Sequence, residues 1–186
     1  MKFRNALALC GWLVLIFMST PISAETRLPI FDAHSHYKAA DAAVVSHSDV
    51  LAIMDKENIS HMLLIGEPAE LTQALYQRAP DRIVPFLGLY DDNTRKENWM
   101  HDEYLPTRLA EQLKQGHYAG IGEIHLFAEH RQNRVFKRIL QLADEQDLPL
   151  LLHGDAEVVE QIFPWYADWK VIWAHLGTRP EVALLK

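Results

Sequence analysis

The sequence predicts an α/β fold in which a parallel sheet is covered by helices, and three observations carry that prediction. Six short apolar runs recur along the chain and are continuous rather than alternating, the pattern of strands buried on both faces. Between them lie stretches with apolar residues at helical spacing. The two kinds of segment alternate without interruption, and that order builds parallel sheets.

The first run, Pro29-Ile30-Phe31-Asp32-Ala33-His34-Ser35-His36, ends in two histidines one residue apart. Side chains alternate across a strand, so His34 and His36 point the same way and Ser35 points away. The alanine-rich segment 37–46 reads as a loop. A helix follows from near Ser48, with Val50, Leu51, Ile53 and Met54 on its apolar side. Residues 61–65 form a second strand, bounded by Gly66 and Pro68, and 69–78 a helix closed by Pro80. Residues 83–89 read as a third strand despite Pro85, which removes a ladder donor. The stretch 90–106 is long, polar and aromatic, the kind of connection that carries binding groups.

A helix over about 107–115 precedes a fourth strand, 118–124. Val135, Phe136, Ile139, Leu140, Leu142 and Ala143 give the helix over 133–146 a wide apolar stripe. Residues 149–153 and 171–175 read as the fifth and sixth strands, separated by a helix over about 156–163, and 179–186 as the start of another helix.

At the N-terminus, Lys2 and Arg4 precede an apolar run over 6–17, and Ile22-Ser23-Ala24 puts a small residue before Glu25. That is the layout of a secretory signal peptide, and the run is shorter than the roughly 20 residues of a membrane span. Residues 1–24 are therefore expected to be cleaved. The rest is then periplasmic or secreted, with no stable membrane anchor. Cys10, the only cysteine, leaves with the signal, so no disulfide framework is expected. Removing Lys2 and Arg4 leaves 16 basic against 25 acidic residues, a formal charge of −9. Such a surface does not invite nucleic acid, which needs basic stripes. A small-molecule substrate is expected instead.

The polar residues now fall into place. His34 and His36 end the first strand, Glu123 lies near the end of the fourth, His153 ends the fifth and His175 the sixth. In a parallel βα sheet these C-terminal ends share one face, where ligands bind. An isolated histidine is more often a satisfied core residue, but four in equivalent places on three strands are hard to explain as accidents. Neutral imidazole is a standard ligand for zinc and similar ions. His125 shares the strand parity of Glu123 and is the candidate for substrate contact or proton transfer, a structural hydrogen bond being the alternative. Asp155 reads as a helix cap, and Trp165, Trp169 and Trp173 as packing aromatics.

The order Asp-Ala-His-Ser-His, Gly-Ile-Gly-Glu-Ile-His, Leu-Leu-His-Gly-Asp, Ile-Trp-Ala-His-Leu-Gly resembles the amidohydrolase superfamily, especially its amidohydrolase-related (amidohydrolase 2) branch, from about Pro29 to the last residue. The resemblance implies a (β/α)8 TIM barrel of metal-dependent hydrolase type, six βα units of it present here. It also implies one or two divalent metal ions, zinc foremost, activating water to attack a small amide, lactone or ester. His34, His36, His153 and His175 would be metal ligands, and Glu123 would take the strand-4 position where relatives bridge two metals. One carboxylate can donate an oxygen to each of two ions about 3.5–4 Å apart.

In that family the proton-handling base is an aspartate at the end of strand 8, and such barrels take ~250 residues. Residues 25–186 are accordingly expected to be a C-terminally incomplete barrel domain. A decarboxylase-type carbon–carbon lyase and an inactive metal-binding remnant are the alternatives to a hydrolase. A related nuclease of the deoxyribonuclease type shares the Gly-Glu motif, but the acidic charge argues against it.

Overall fold

The structure, a computed structural model, describes residues 28–165, 168 and 170–179. Its strands are β1 (Ile30–Lys38), β2 (Ile59–Glu67), β3 (Ile83–Leu87), β4 (Gly120–Leu126), β5 (Leu150–Gly154) and β6 (Val171–Trp173). They form one sheet in chain order, and every neighbouring pair is parallel. The crossovers hold α1 (Ala39–Ala42), α2 (His47–Lys56), α3 (Ala69–Arg78), α4 (Leu105–Gln115), α5 (Arg134–Glu145) and α6 (Ala156–Ile162).

The sheet is curled. In a flat sheet of this order, β1 and β6 would stand about 24 Å apart at ~4.8 Å per strand. The ring of His34, in β1, nevertheless lies 4.9 Å from that of His175, two residues past β6. The six strands therefore make part of a (β/α)-barrel, as the family resemblance implies. Leu63, Ile65, Phe86, Leu151 and Ala174 pack inside the curl. Outside it, a larger core joins β3, β4 and β5 to α4, α5 and α6 through residues such as Leu87, Leu109, Phe136, Ile139, Leu152 and Ile162. Met54, Leu64, Leu75 and Ile83 form a second outer core beneath α2 and α3. On the outer strand β1, Ile30 and Phe31 are about half exposed.

Several boundaries differ from the sequence reading for identifiable reasons. Helix α2 starts at His47 because Ser46 and Asp49 form a capping box: the Ser46 hydroxyl accepts the Asp49 N–H, and the Asp49 carboxylate accepts the Ser46 N–H. Helix α4 begins at Leu105 with Pro106 in its first turn, where a missing N–H costs nothing. Strand β4 runs two residues later than predicted. Ahead of it, the Ala119 N–H donates to the Pro85 carbonyl at 2.7 Å, so Pro85 sits in a central strand and still serves as an acceptor. The signal segment, Trp169 and the helix predicted after Arg179 lie outside the described residues.

Candidate metal centre

The centre forms where the strands end. Asp32 shapes the first part: its Oδ1 accepts the His34 N–H at 3.2 Å and its Oδ2 accepts the Ser35 hydroxyl at 2.5 Å. The β1–β2 ladder shifts register between Asp32 and Ser35, so the strand is braced at the irregularity that aims the histidines. His34 and His36 then bring their Nε2 atoms to 3.0 Å from each other.

Glu123 arrives from β4 through a second irregularity. The β4–β5 ladder pairs Gly122 with Leu151 and Ile124 with Leu152, skipping Glu123. Gly122 holds φ at +147°, a region L side chains rarely adopt, and a Cβ there would lie 2.4 Å from the Leu151 carbonyl oxygen. Only glycine lets β4 approach β5 closely here while turning the carboxylate of Glu123 inward. His175 is set by a different device. It follows β6 in a short 3-10 turn, with φ +56°.

The resulting geometry is two-sided. Glu123 Oε2 lies 3.5 Å from His34 Nε2 and 3.2 Å from His36 Nε2, whereas Oε1 lies 2.8 Å from His153 Nδ1 and 3.7 Å from His175 Nε2. Oε1 thus faces His153 and His175, while Oε2 faces His34 and His36 with His125 also within 3.4 Å. Two ligand sets share the one carboxylate: His34, His36 and Glu123, and Glu123, His153 and His175, with the ligand atoms of each set within 4.8 Å of one another.

Both sets fit a divalent cation. Ligands ~2.1 Å from a tetrahedral zinc lie about 3.4 Å from one another, and the first triangle has edges of 3.0, 3.2 and 3.5 Å. Electrostatics agree. Glu123 is 4% exposed, and burial alone would push its carboxyl up. The hydrogen bond from His36, the charges of His125 and His34 and the bond from His153 outweigh this and hold it well below the usual carboxylate range. Burial pushes the His34 imidazole down, against the pull of Glu123. An ionised carboxylate beside neutral imidazole is the form in which these groups bind metal.

His125 reaches the same cavity, its Nε2 3.4 Å from Glu123 Oε2, as its parity predicts. Both ring nitrogens are engaged by its own chain: Nε2 is 2.9 Å from Lys96 Nζ, and Nδ1 is 3.0 Å from the Tyr90 hydroxyl. An ammonium can only donate, so Nε2 accepts and the ring hydrogen sits on Nδ1, pointing at Tyr90. Burial is the main cause that brings His125 down to about 4, helped by the Lys96 charge and by His153 and His36 and opposed by Glu123. Burial also pushes the Tyr90 hydroxyl well above its ordinary value.

Asp155 stands at the N-cap position of α6, but its side chain does not cap the helix. It accepts the Ala128 N–H at 2.8 Å and pairs with Arg179, tying the loop after β4 to the segment after β6. Trp173 donates to the Gly154 carbonyl at 2.9 Å, and Trp165 lies under the Lys137 ammonium. Asp32, Tyr90 and Lys96 were not singled out from the sequence. Asp32 could have been, as the first residue of Asp-x-His-x-His. Tyr90 and Lys96 had only the length and character of their loop to announce them.

A family model described as TatD related DNase matches residues 31–170, well over half of the chain. The chain belongs to the TatD related DNase family. The TatD family is a TIM-barrel metal-dependent hydrolase superfamily related to the amidohydrolases, so the sequence resemblance holds at that coarser level. The match is to the TatD branch and not to amidohydrolase 2. It covers His34, His36, Glu123, His125 and His153 and ends before His175. No curated protein matches the chain.

Proposed function

We propose that this TatD-family chain is an exported metal-dependent hydrolase that directs activated water at a small carbonyl substrate, an amide, lactone or ester. The observation that carries the metal-dependent hydrolase part of this reading is the division of Glu123, one oxygen to His34 and His36 and the other to His153 and His175. Zinc is the first choice for the two sites, given their histidine-rich donors. When bound, such ions supply Lewis acidity and acidify their water toward pKa ~7. The chain's own residues do the rest. Asp32 braces the β1 irregularity at His34 and Ser35, Gly122 fixes the approach of Glu123, and Tyr90 and Lys96 hold His125 at the cavity wall.

Export is supported by the signal-like N-terminus. A small substrate is supported by the formal charge of −7, or −9 after cleavage, and by the cations around the cleft: among the described residues that line it these are Lys38, paired with Glu67 at 3.3 Å, and Lys96. A polyanion track needs more cations than that. The second reading, phosphodiester hydrolysis, is favoured by the family description, and a two-ion site is well suited to in-line phosphoryl displacement.

The two readings separate in one experiment. Protein loaded with zinc or manganese is assayed on p-nitrophenyl acetate, a γ-lactone, an N-acyl amide, bis(p-nitrophenyl) phosphate and a short oligonucleotide. Chelator-sensitive turnover of the carbonyl substrates is expected. Phosphodiester cleavage with carbonyl substrates untouched would overturn the proposal in favour of the second reading.

A further inference from the structure

Beside the candidate metal centre lies a cleft of about 150 Å³, lined by His36, Glu123, Tyr90 and Lys96 and by the Lys38–Glu67 pair. Ile65, Gly66 and Gly88 also line it and give it an apolar floor. Lys96 is brought there by the connection between β3 and α4, and that connection is braced along its length. The Asp91 carboxylate accepts the Asn93 and Thr94 N–H groups at 2.8 and 2.7 Å and pairs with Arg108 at 2.8 Å. Asn98 accepts the Arg95 N–H at 2.6 Å and donates to the Asn93 carbonyl at 3.1 Å. Trp99, fully buried, donates its indole N–H to the His125 carbonyl at 3.1 Å.

The loop is therefore anchored on both sides of Lys96 and fastened to β4 itself. Its ammonium donates to His125 Nε2, and among the described residues it forms no ion pair with a carboxylate. An ammonium has three protons to donate, and an imidazole nitrogen accepts one. The arrangement leaves a positioned positive charge with spare donors, facing a cleft next to the place where water would be activated.

We propose that Lys96 is the specificity-determining residue of this site and that it anchors a single carboxylate on the substrate, separated by a short apolar spacer from the bond to be hydrolysed. The proposal rests on the hydrolase reading above and narrows its substrate class to monoanionic esters, amides or lactones. One cation matches one carboxylate, whereas the more highly charged phosphate dianion would meet the Glu123 and Glu67 carboxylates that share the cleft. The apolar floor suits methylene groups between the two ends.

Two measurements test this separately from the chemistry. Calorimetric titration of monomethyl glutarate, a monoanion, into metal-free protein is expected to give binding that weakens tenfold or more in Lys96→Gln and recovers in Lys96→Arg. The metal-free protein excludes direct coordination of the probe. With metal-loaded protein, the ratio of kcat/KM for mono-p-nitrophenyl glutarate to that for p-nitrophenyl acetate should fall at least tenfold in Lys96→Gln, mainly through KM. Equal monomethyl glutarate affinity in wild type and Lys96→Gln would overturn the assignment, as would tighter binding of inorganic phosphate than of monomethyl glutarate. Lys96-dependent binding of monomethyl glutarate without ester turnover would support the anchor while sinking the hydrolase reading.

Discussion

Replacing Gly122 by alanine tests whether the β4 irregularity builds the metal centre. The added Cβ would lie 2.4 Å from the Leu151 carbonyl oxygen, 2.8 Å from Leu151 Cβ and 3.0 Å from Leu151 N. Ordinary carbon contacts are about 3.5–4.0 Å, so the strands must part by roughly 1 Å. The atoms in the way are mainly backbone, and a ladder bonded on both sides of the clash resists the shift. Overpacking of this kind costs about 1–3 kcal/mol. Holding alanine at φ +147° adds about 1–3 kcal/mol. Together these come to about 2–6 kcal/mol, a large part of the ~5–15 kcal/mol that holds a typical domain folded. With a urea slope near ~2 kcal/mol per molar, the unfolding midpoint should fall by about 1–3 M. Gly154→Ala is the control, because its Cβ would meet nothing closer than 3.1 Å and its φ is outside the left-handed region. Any Gly122→Ala protein that does fold should also lose metal, since relief of the clash must move Glu123. Equal midpoints for the two variants, or full metal content in Gly122→Ala, would refute the reasoning.

Glu123→Gln and His36→Ala should differ in stoichiometry, because Glu123 belongs to both ligand sets and His36 to one. Metal analysis after gel filtration is expected to show two ions in the wild type, one in His36→Ala and fewer than one in Glu123→Gln, with affinity down at least about 10²-fold; two retained ions in Glu123→Gln would exclude the shared carboxylate. The Asp155 pair bears on acid stability. Hydrogen bonding from Arg179 is the main cause that lowers the Asp155 carboxyl, so its contribution is complete above the unfolded value of ~3.9 and is lost as pH falls through the lower folded value. Asp155→Asn should therefore lower the unfolding midpoint near neutral pH by a small amount, as expected for a pair with a solvated arginine, and the midpoint should converge with the wild type's in strong acid. Parallel curves down to pH 2 would show that the pair contributes nothing through charge.

The legible part of the site was the part set by strand parity. His34 and His36 had to point together, and histidines closing apolar runs had to meet at one face once the sheet was parallel. Glu123 was legible as a residue near a strand end, but its inward turn depends on a skipped ladder position and on φ at Gly122, and neither has a sequence period. His175 was placed at a strand end and reaches the centre from a left-handed turn beyond it, where residue identity gave no sign. Lys96 and Tyr90 could not be found this way at all. They are held by contacts between segments distant in sequence, Tyr90 and Lys96 to His125, Trp99 to the His125 carbonyl and Arg108 to Asp91.

That same division bears on where substrate choice resides. The ligand sets come from strand ends and short turns, which a family of related barrels can share while acting on different bonds. Selectivity must come from what surrounds them at the C-terminal face, and the connections there are unequal. Strand β1 runs directly into α1, Pro68 alone separates β2 from α3, and Asp155 alone separates β5 from α6. The loop after β4, residues 127–133, leads away to the contact with Asp155 and Arg179. Residues 88–104, between β3 and α4, are the longest of these connections, and they supply both Tyr90 and Lys96 to the cleft beside Glu123. A change of substrate in this chain should therefore follow changes in that loop, while changes to His34, His36, His153 or His175 should reduce turnover of every substrate together.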